Sequence, residues 1–144
     1  MFIASYDRES FLEVTANAEE GLPHIEVIAC VDGEVVCNPS IVLVRTSQAL
    51  RDLDALLRNW DRPMTLEGSE DFSLTLQPDG KAGDLWVGLR VSRIVYSRSP
   101  RTGKLRSGRH LLEGGFSVPG ERTTEMLHEM QRLLLPVPER VPAA

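Results

Sequence analysis

Apolar positions spaced three and four residues apart occur in two stretches of the chain. In Thr46–Trp60, Leu50, Leu53, Leu56, Leu57 and Trp60 fall at i, i+3, i+6, i+7 and i+10, one stripe of a 3.6-residue period, which predicts a helix with one apolar face. Thr46 or Ser47 is the expected cap of its first N–H groups, and Asp61-Arg62-Pro63 is the expected stop. From about Gly120 to Leu135, Met126, Leu127, Met130, Leu133 and Leu134 repeat the stripe. There Glu121 and Glu125 suit the N-terminal end and Arg132 the C-terminal end of the helix dipole.

Elsewhere the pattern alternates with a period of two. Leu12, Val14, Ala16 and Ala18 share one side of a strand over Phe11–Ala18, which Glu19-Glu20-Gly21-Leu22-Pro23 breaks. Ile25, Val27, Ala29 and Val31 alternate over His24–Val31. Asp32-Gly33 then marks a tight hairpin, and Glu34–Cys37 begins the return strand. Pro39 implies that this strand is bulged or at an edge before Ile41–Arg45 leads into the first helix.

After Pro63, Phe72, Leu74 and Leu76 share a face, and Pro78-Asp79-Gly80 is a turn. Leu85, Val87, Leu89 and Val91 line the next strand, with Trp86 and Ile94 on its reverse, an arrangement that suggests burial on both faces. Tyr96–His110, rich in Ser, Arg and Gly, reads as a loop. Leu111–Val118 reads as a strand in which Gly114-Gly115 marks a bulge or a close backbone approach. The expected architecture is α+β: a mostly antiparallel sheet of about six strands, order βββ-α-βββ-α, with both helices packed on one face. Residues 1–136 form the expected single domain and 137–144 a loose Pro/Ala tail.

Composition adds few constraints. A chain of 144 residues with 42% apolar content can bury one core. No run approaches the roughly 18 apolar residues of a membrane span, and MFIASYDRES lacks the basic start of a secretory signal, so a cytoplasmic protein without membrane contact is the expectation. The formal charge of −5 is unevenly spread. Residues 1–84 carry 16 acids against 6 bases, whereas 85–112 carry seven bases and no acid. An acidic body suits a solvated surface, or a docking face for a basic partner.

Candidate chemistry is sparse. With Asp32-Gly33 as the two turn residues, Cys30 faces Val35 and Cys37 lies diagonally, too far to bridge. With Gly33-Glu34 as the turn, Cys30 faces Cys37, and the apolar pattern fits both registers. A cytoplasmic setting favours free thiols. Glu125-x-x-His128 is half of a di-metal motif without its second copy, so no metal is expected there. Phosphate-loop, dinucleotide and nucleophile-elbow patterns are absent, and neither catalytic residues nor a cofactor is expected. Glu67, Glu70 and Asp71, with His24 or His110, are the residues an acid/base site would use. Arg90, Arg93, Arg98, Arg101, Lys104, Arg106 and Arg109 form a basic run. It suits phosphate contacts, but its acidic surroundings and single aromatic, Tyr96, argue against nucleic acid. A solvated hairpin tip, or an arm on the acidic body or on a second subunit, is the preferred reading.

Several features taken together resemble bacterial WapI-type immunity proteins, the partners of polymorphic toxins. They are Leu43-Val44-Arg45-Thr46 leading into Leu50, Leu53, Leu56 and Trp60; Glu70-Asp71-Phe72-Ser73-Leu74; the strand Leu85–Val91; Phe116-Ser117-Val118 before the second helix; and Pro138-Glu139-Arg140. The likeness spans about His24 to Arg140. It departs where Asp71 replaces the family's usual proline and where the basic stretch is longer. The resemblance implies a non-enzymatic protein that occludes a toxin. The charge pattern, independently of the likeness, makes Arg98, Arg101, Lys104, Arg106, Arg109, Glu67, Glu70 and Asp71 the candidate interaction surface, and the acidic body suits a basic toxin domain as the partner.

Overall fold

A computed structural model describes residues 1–17, 24–60, 62–80 and 83–135. The breaker at 18–23, Asp61 and the expected tail at 137–144 lie outside the described residues. Eight strands and two helices follow in the order β1 (Phe2–Ala4), β2 (Phe11–Asn17), β3 (His24–Val31), β4 (Glu34–Val44), α1 (Thr46–Asn59), β5 (Met64–Gly68), β6 (Ser73–Pro78), β7 (Leu85–Arg98), β8 (Leu105–Val118) and α2 (Gly120–Leu134). The α+β class stands. Among the described residues the strand count is eight and not six, because β1 and β5 are added, and the order is ββββ-α-ββββ-α.

The strands form one antiparallel meander, each paired with its neighbours in sequence. Asp32 and Gly33 are the two turn residues of the β3–β4 hairpin, both at positive φ (51° and 84°), the type I′ geometry that suits a twisted hairpin. Cys30 therefore faces Val35, and both thiols are free. In β4, burial falls on Val36 and Asn38 and then on Ile41 and Leu43, a change from even to odd positions. The register explains it: Val27 faces Asn38 while Ile25 faces Ile41, so β4 carries one extra residue at Pro39-Ser40. This bulge keeps both halves of the strand facing the same interior. The last residues of β4 pair with β5, and β4 links the two halves of the meander.

Inward-facing residues of every strand but β1's Phe2 side join α1 (Ala49, Leu53, Leu56) and α2 (Met126, Leu127, Met130, Leu134) in one hydrophobic core. Neither helix starts with its own side-chain cap. Arg45, in the left-handed region, holds the N-cap position of α1 in place of the expected Thr46 or Ser47. For α2 the cap comes from a distance: Gly120 N–H donates to the Asp84 carboxylate (2.8 Å), which also sets a negative charge at the positive end of the helix.

The reverse of β7 is not buried as the pattern suggested. Trp86 is 42% exposed and lies over Gly115, where an added Cβ would sit 2.5 Å from its ring. Gly114, on the other side, sits under Val31. The glycine pair thus marks a close approach on both faces, with the β7–β8 register unbroken through it.

Candidate functional site

The stretch read as a loop, with a solvated hairpin tip as the preferred place of its basic run, is a hairpin whose arms are paired strand almost to the tip. Pairing between β7 and β6 ends at Arg90, whereas pairing between β7 and β8 continues out to Arg98↔Leu105. Residues 93–98 and 105–110 thus leave the sheet as a two-stranded ribbon, and six residues at the usual rise make it about 20 Å long. Its tip is closed by Ser99 N–H to Lys104 C=O and Gly103 N–H to Ser99 C=O, both 2.9 Å. Gly103 takes φ 67°, and Arg98 donates to its carbonyl (3.2 Å).

Directly opposed residues share a face, so the register divides the ribbon in two. Arg93, Val95 and Ser97 lie with His110, Gly108 and Arg106 on one side; Ile94, Tyr96 and Arg98 lie with Arg109, Ser107 and Leu105 on the other. The second face carries a diagonal apolar stripe of Leu111 (37% exposed), Ile94 (44%), Tyr96 (66%) and Leu105 (61%), flanked by Arg98 and Arg109. Residues 93–110 hold six cations and no acid.

At the root, the ribbon meets the acidic turn between β5 and β6. Arg109 forms an ion pair with Asp71, and His110 lies 3.2 Å from Glu34. Glu70 and Asp71 both adopt positive φ (56° and 60°), and Phe72 N–H donates to Ser69 C=O (3.2 Å) across them. Left-handed backbone costs a non-glycine residue on the order of 1–2 kcal/mol. Buried neighbours enforce it here. Asn38 Nδ2 donates to the Glu70 carboxylate and to Ser92 C=O (2.7 Å), and Ser92 Oγ donates to Glu70 C=O. Asn38 and Ser92 are almost fully buried, so β4, β7 and the turn are joined by a polar link next to the first ribbon residue.

The expected interaction residues therefore separate into groups. Arg109 and Asp71 are in contact. Glu70 is turned to Asn38, and Glu67 pairs with Arg45 at 3.5 Å. Arg98, Arg101, Lys104 and Arg106 project along the ribbon and its tip. His24 opens β3, whereas His110, the last residue of the expected loop, lies within β8. Among the described residues, no cluster of three or more His, Cys, Asp or Glu is gathered for a metal. Ile94, Tyr96, Leu105 and Leu111 were missed as a group. The Ile94-x-Tyr96 alternation inside the basic run was the available signal.

A second surface lies at the opposite edge of the sheet. Phe2 stacks on Phe11 (5.6 Å between centroids) on the outer side of β1 and β2, next to Glu13, which faces Phe2 in the register. The following loop exposes Tyr6, Asp7 and Glu9. Asp7 accepts from Ser5 Oγ (2.6 Å) and from Glu9 N–H (3.1 Å). These bonds, the serine hydroxyl's first, hold its carboxyl below the usual carboxylate range. Their stabilisation is present above the unfolded value of about 3.9 and is lost as pH falls through the lowered folded value. In a carboxyl ¹³C titration, Ser5→Ala is expected to raise the Asp7 pKa toward the ordinary value; an unchanged midpoint would refute this cause. An open depression of about 360 Å³ separates β1 from α2, with Ile3, Val118 and Met126 at its base and Arg8 and Glu125 beside it.

Compared with known family models, known proteins and solved structures, the chain matches none. No helix among the described residues is long and apolar enough to cross a membrane.

Proposed function

We propose that this chain is a non-enzymatic protein-binding domain, acting as the immunity proteins it resembles act, by covering a toxin's surface. The β7–β8 ribbon is its principal contact element. The observation that supports this most directly is the stripe Leu111–Ile94–Tyr96–Leu105, large apolar side chains left in solvent and edged by arginine. Tyr and Arg around an apolar centre are the composition of protein interfaces, and such groups carry most of the binding energy. Glu67 of β5 is already engaged by Arg45, and the acids of the β5–β6 turn, Glu70 and Asp71, by Asn38 and Arg109, the last of which positions the ribbon root. With the ribbon's six cations set aside, the formal −5 leaves −11 on the rest of the chain; that acidic body would hold a basic partner, against which the ribbon would lay its apolar stripe and not its cations.

The test is calorimetry with the toxin domain encoded beside this gene, using the wild-type chain and the Tyr96→Ser/Leu105→Ser variant. Tight binding that weakens by at least about tenfold in the variant is the expected result, as loss of one hot spot would give. A neighbourhood without a toxin, or affinity indifferent to the ribbon, would remove the support for this reading.

A further inference from the structure

The ribbon and the β1–β2 surface are complementary to each other. One offers an apolar stripe, Leu111, Ile94, Tyr96 and Leu105, edged by Arg98 and Arg109 with Arg101 and Lys104 at the tip. The other offers the stacked pair Phe2 (57% exposed) and Phe11 with Glu13 opposite Phe2, followed in the chain by a loop that exposes Tyr6 (84%), Asp7 and Glu9. Each lacks what the other supplies. Beyond its root the ribbon makes no ion pair with its own body among the described residues; its pairs are those of Arg109 and His110.

Both surfaces also lie at the same end of the molecule. Asp32 N–H, in the β3–β4 turn, donates to Ser10 Oγ (3.2 Å), and the Cys30 thiol donates to Glu9 C=O (3.5 Å). Two residues beyond Asp32, Glu34 meets His110 at the ribbon root. The acidic loop, the hairpin turn and the ribbon root are therefore joined in one short chain of contacts. A donor and an acceptor surface at one end of a molecule are what a closed two-fold dimer needs, because each copy then gives and receives the same contact and nothing is left to propagate.

We infer that two copies of this chain exchange ribbons, the stripe of each lying on the Phe2–Phe11 pair and the Tyr6 loop of the other with its arginines against Asp7, Glu9 and Glu13. This rests on reading the ribbon as a protein-docking element and assigns it a first partner, a second copy. Opposite charge brings the faces together and sets their orientation, while the aromatic and aliphatic groups supply the burial. The loop's own cation, Arg8, lines the depression beside Glu125 and Glu129 of α2. Among the described residues the β7 edge past Arg90 and the outer β8 edge have no strand partner, so the ribbon can approach without unpairing any of them.

Sedimentation equilibrium of the full chain tests this. The expected result is the mass of two chains, with association at least about tenfold weaker when ionic strength rises from about 0.1 M to about 1 M and the screening length falls from about 10 Å to about 3 Å. Arg98→Glu/Arg101→Glu, confined to exposed positions, is expected to be monomeric. Adding Glu9→Arg/Glu13→Arg to the same chain is expected to restore the dimer, a rescue that general damage to the fold cannot give. A monomer at about 100 μM, where even a micromolar complex would be assembled, overturns the inference, as does a dimer indifferent to the ribbon charges. A monomer that still binds a toxin partner through Tyr96 and Leu105 overturns it too and leaves the protein-binding reading standing. A monomer whose ribbon is retained on duplex DNA until salt is raised overturns both.

Discussion

Leu53→Ala is expected to lower the unfolding free energy by about 2–5 kcal/mol, the range for emptying a leucine site in a packed core. Leu53 has no exposed surface and sits in the middle of the α1 stripe, with Ala49 and Leu56 buried beside it. The helix lacks a side-chain cap at its start, and Trp60 closes it in the left-handed region, where glycine is the usual occupant. Its own ends therefore contribute little, and its place depends on the buried face. Urea denaturation should show a lower midpoint with an unchanged slope, since the surface exposed on unfolding stays the same. Leu50→Ala, on the half-buried flank of the same helix, is the control and should cost clearly less. Equal losses at the two positions would mean that the stripe does not orient the helix as the burial implies.

The centre of that stripe, Leu53 and Leu56, was legible in the sequence, as were Met126, Leu127, Met130 and Leu134 on α2, because a helix covering a sheet must repeat its apolar positions at 3.6 residues; Leu50, Leu57, Trp60 and Leu133 prove to be half-buried flanks, and Ala49 takes the buried place in the first turn. The β3–β4 hairpin was legible for a similar reason: Asp32-Gly33 can adopt a turn that most residue pairs resist. The ribbon was not. Alternation reveals a strand only when one face is buried, and residues 93–98 and 105–110 are exposed on both faces. Backbone pairing to the other arm holds them, and backbone pairing leaves no mark on composition. Ser, Arg and Gly therefore read as loop, and the stripe Ile94–Tyr96–Leu105 was dispersed among arginines. Strands β1 and β5 were missed because three and five residues give too few alternations to count. The Glu70-Asp71 turn was out of reach for another reason. Two acids are an improbable choice for left-handed backbone, and what places them there comes from Asn38 and Ser92, more than twenty residues away in either direction.

Asn38→Ala is therefore expected to cost about 2–4 kcal/mol, more than its small side-chain volume suggests. The side chain serves three partners: the Glu70 carboxylate, Ser92 C=O at 2.7 Å and Ser40 N–H at 3.0 Å in the β4 bulge. Alanine leaves Ser92 C=O without its partner beside a residue only 3% exposed, which costs about 1–3 kcal/mol, and loses the bond to Ser40 N–H on an exposed residue, about 0.5–1.5 kcal/mol more. The consequence should extend beyond stability. Glu70 and Asp71 keep their left-handed backbone against a local cost, and Asp71 anchors Arg109 at the ribbon root. With Asn38 gone, amide exchange should accelerate at Phe72 and at the root of the ribbon, while the α1 and α2 amides change only with global stability. Glu70→Gly separates the causes, since glycine accepts the turn without strain and removes the carboxylate. In that background Asn38→Ala should cost less by about 1 kcal/mol, the coupling of two groups in one polar link. If the two losses simply add, Asn38 supports the bulge of β4 alone, and the turn and ribbon root owe their geometry to Ser92 and Arg109 instead.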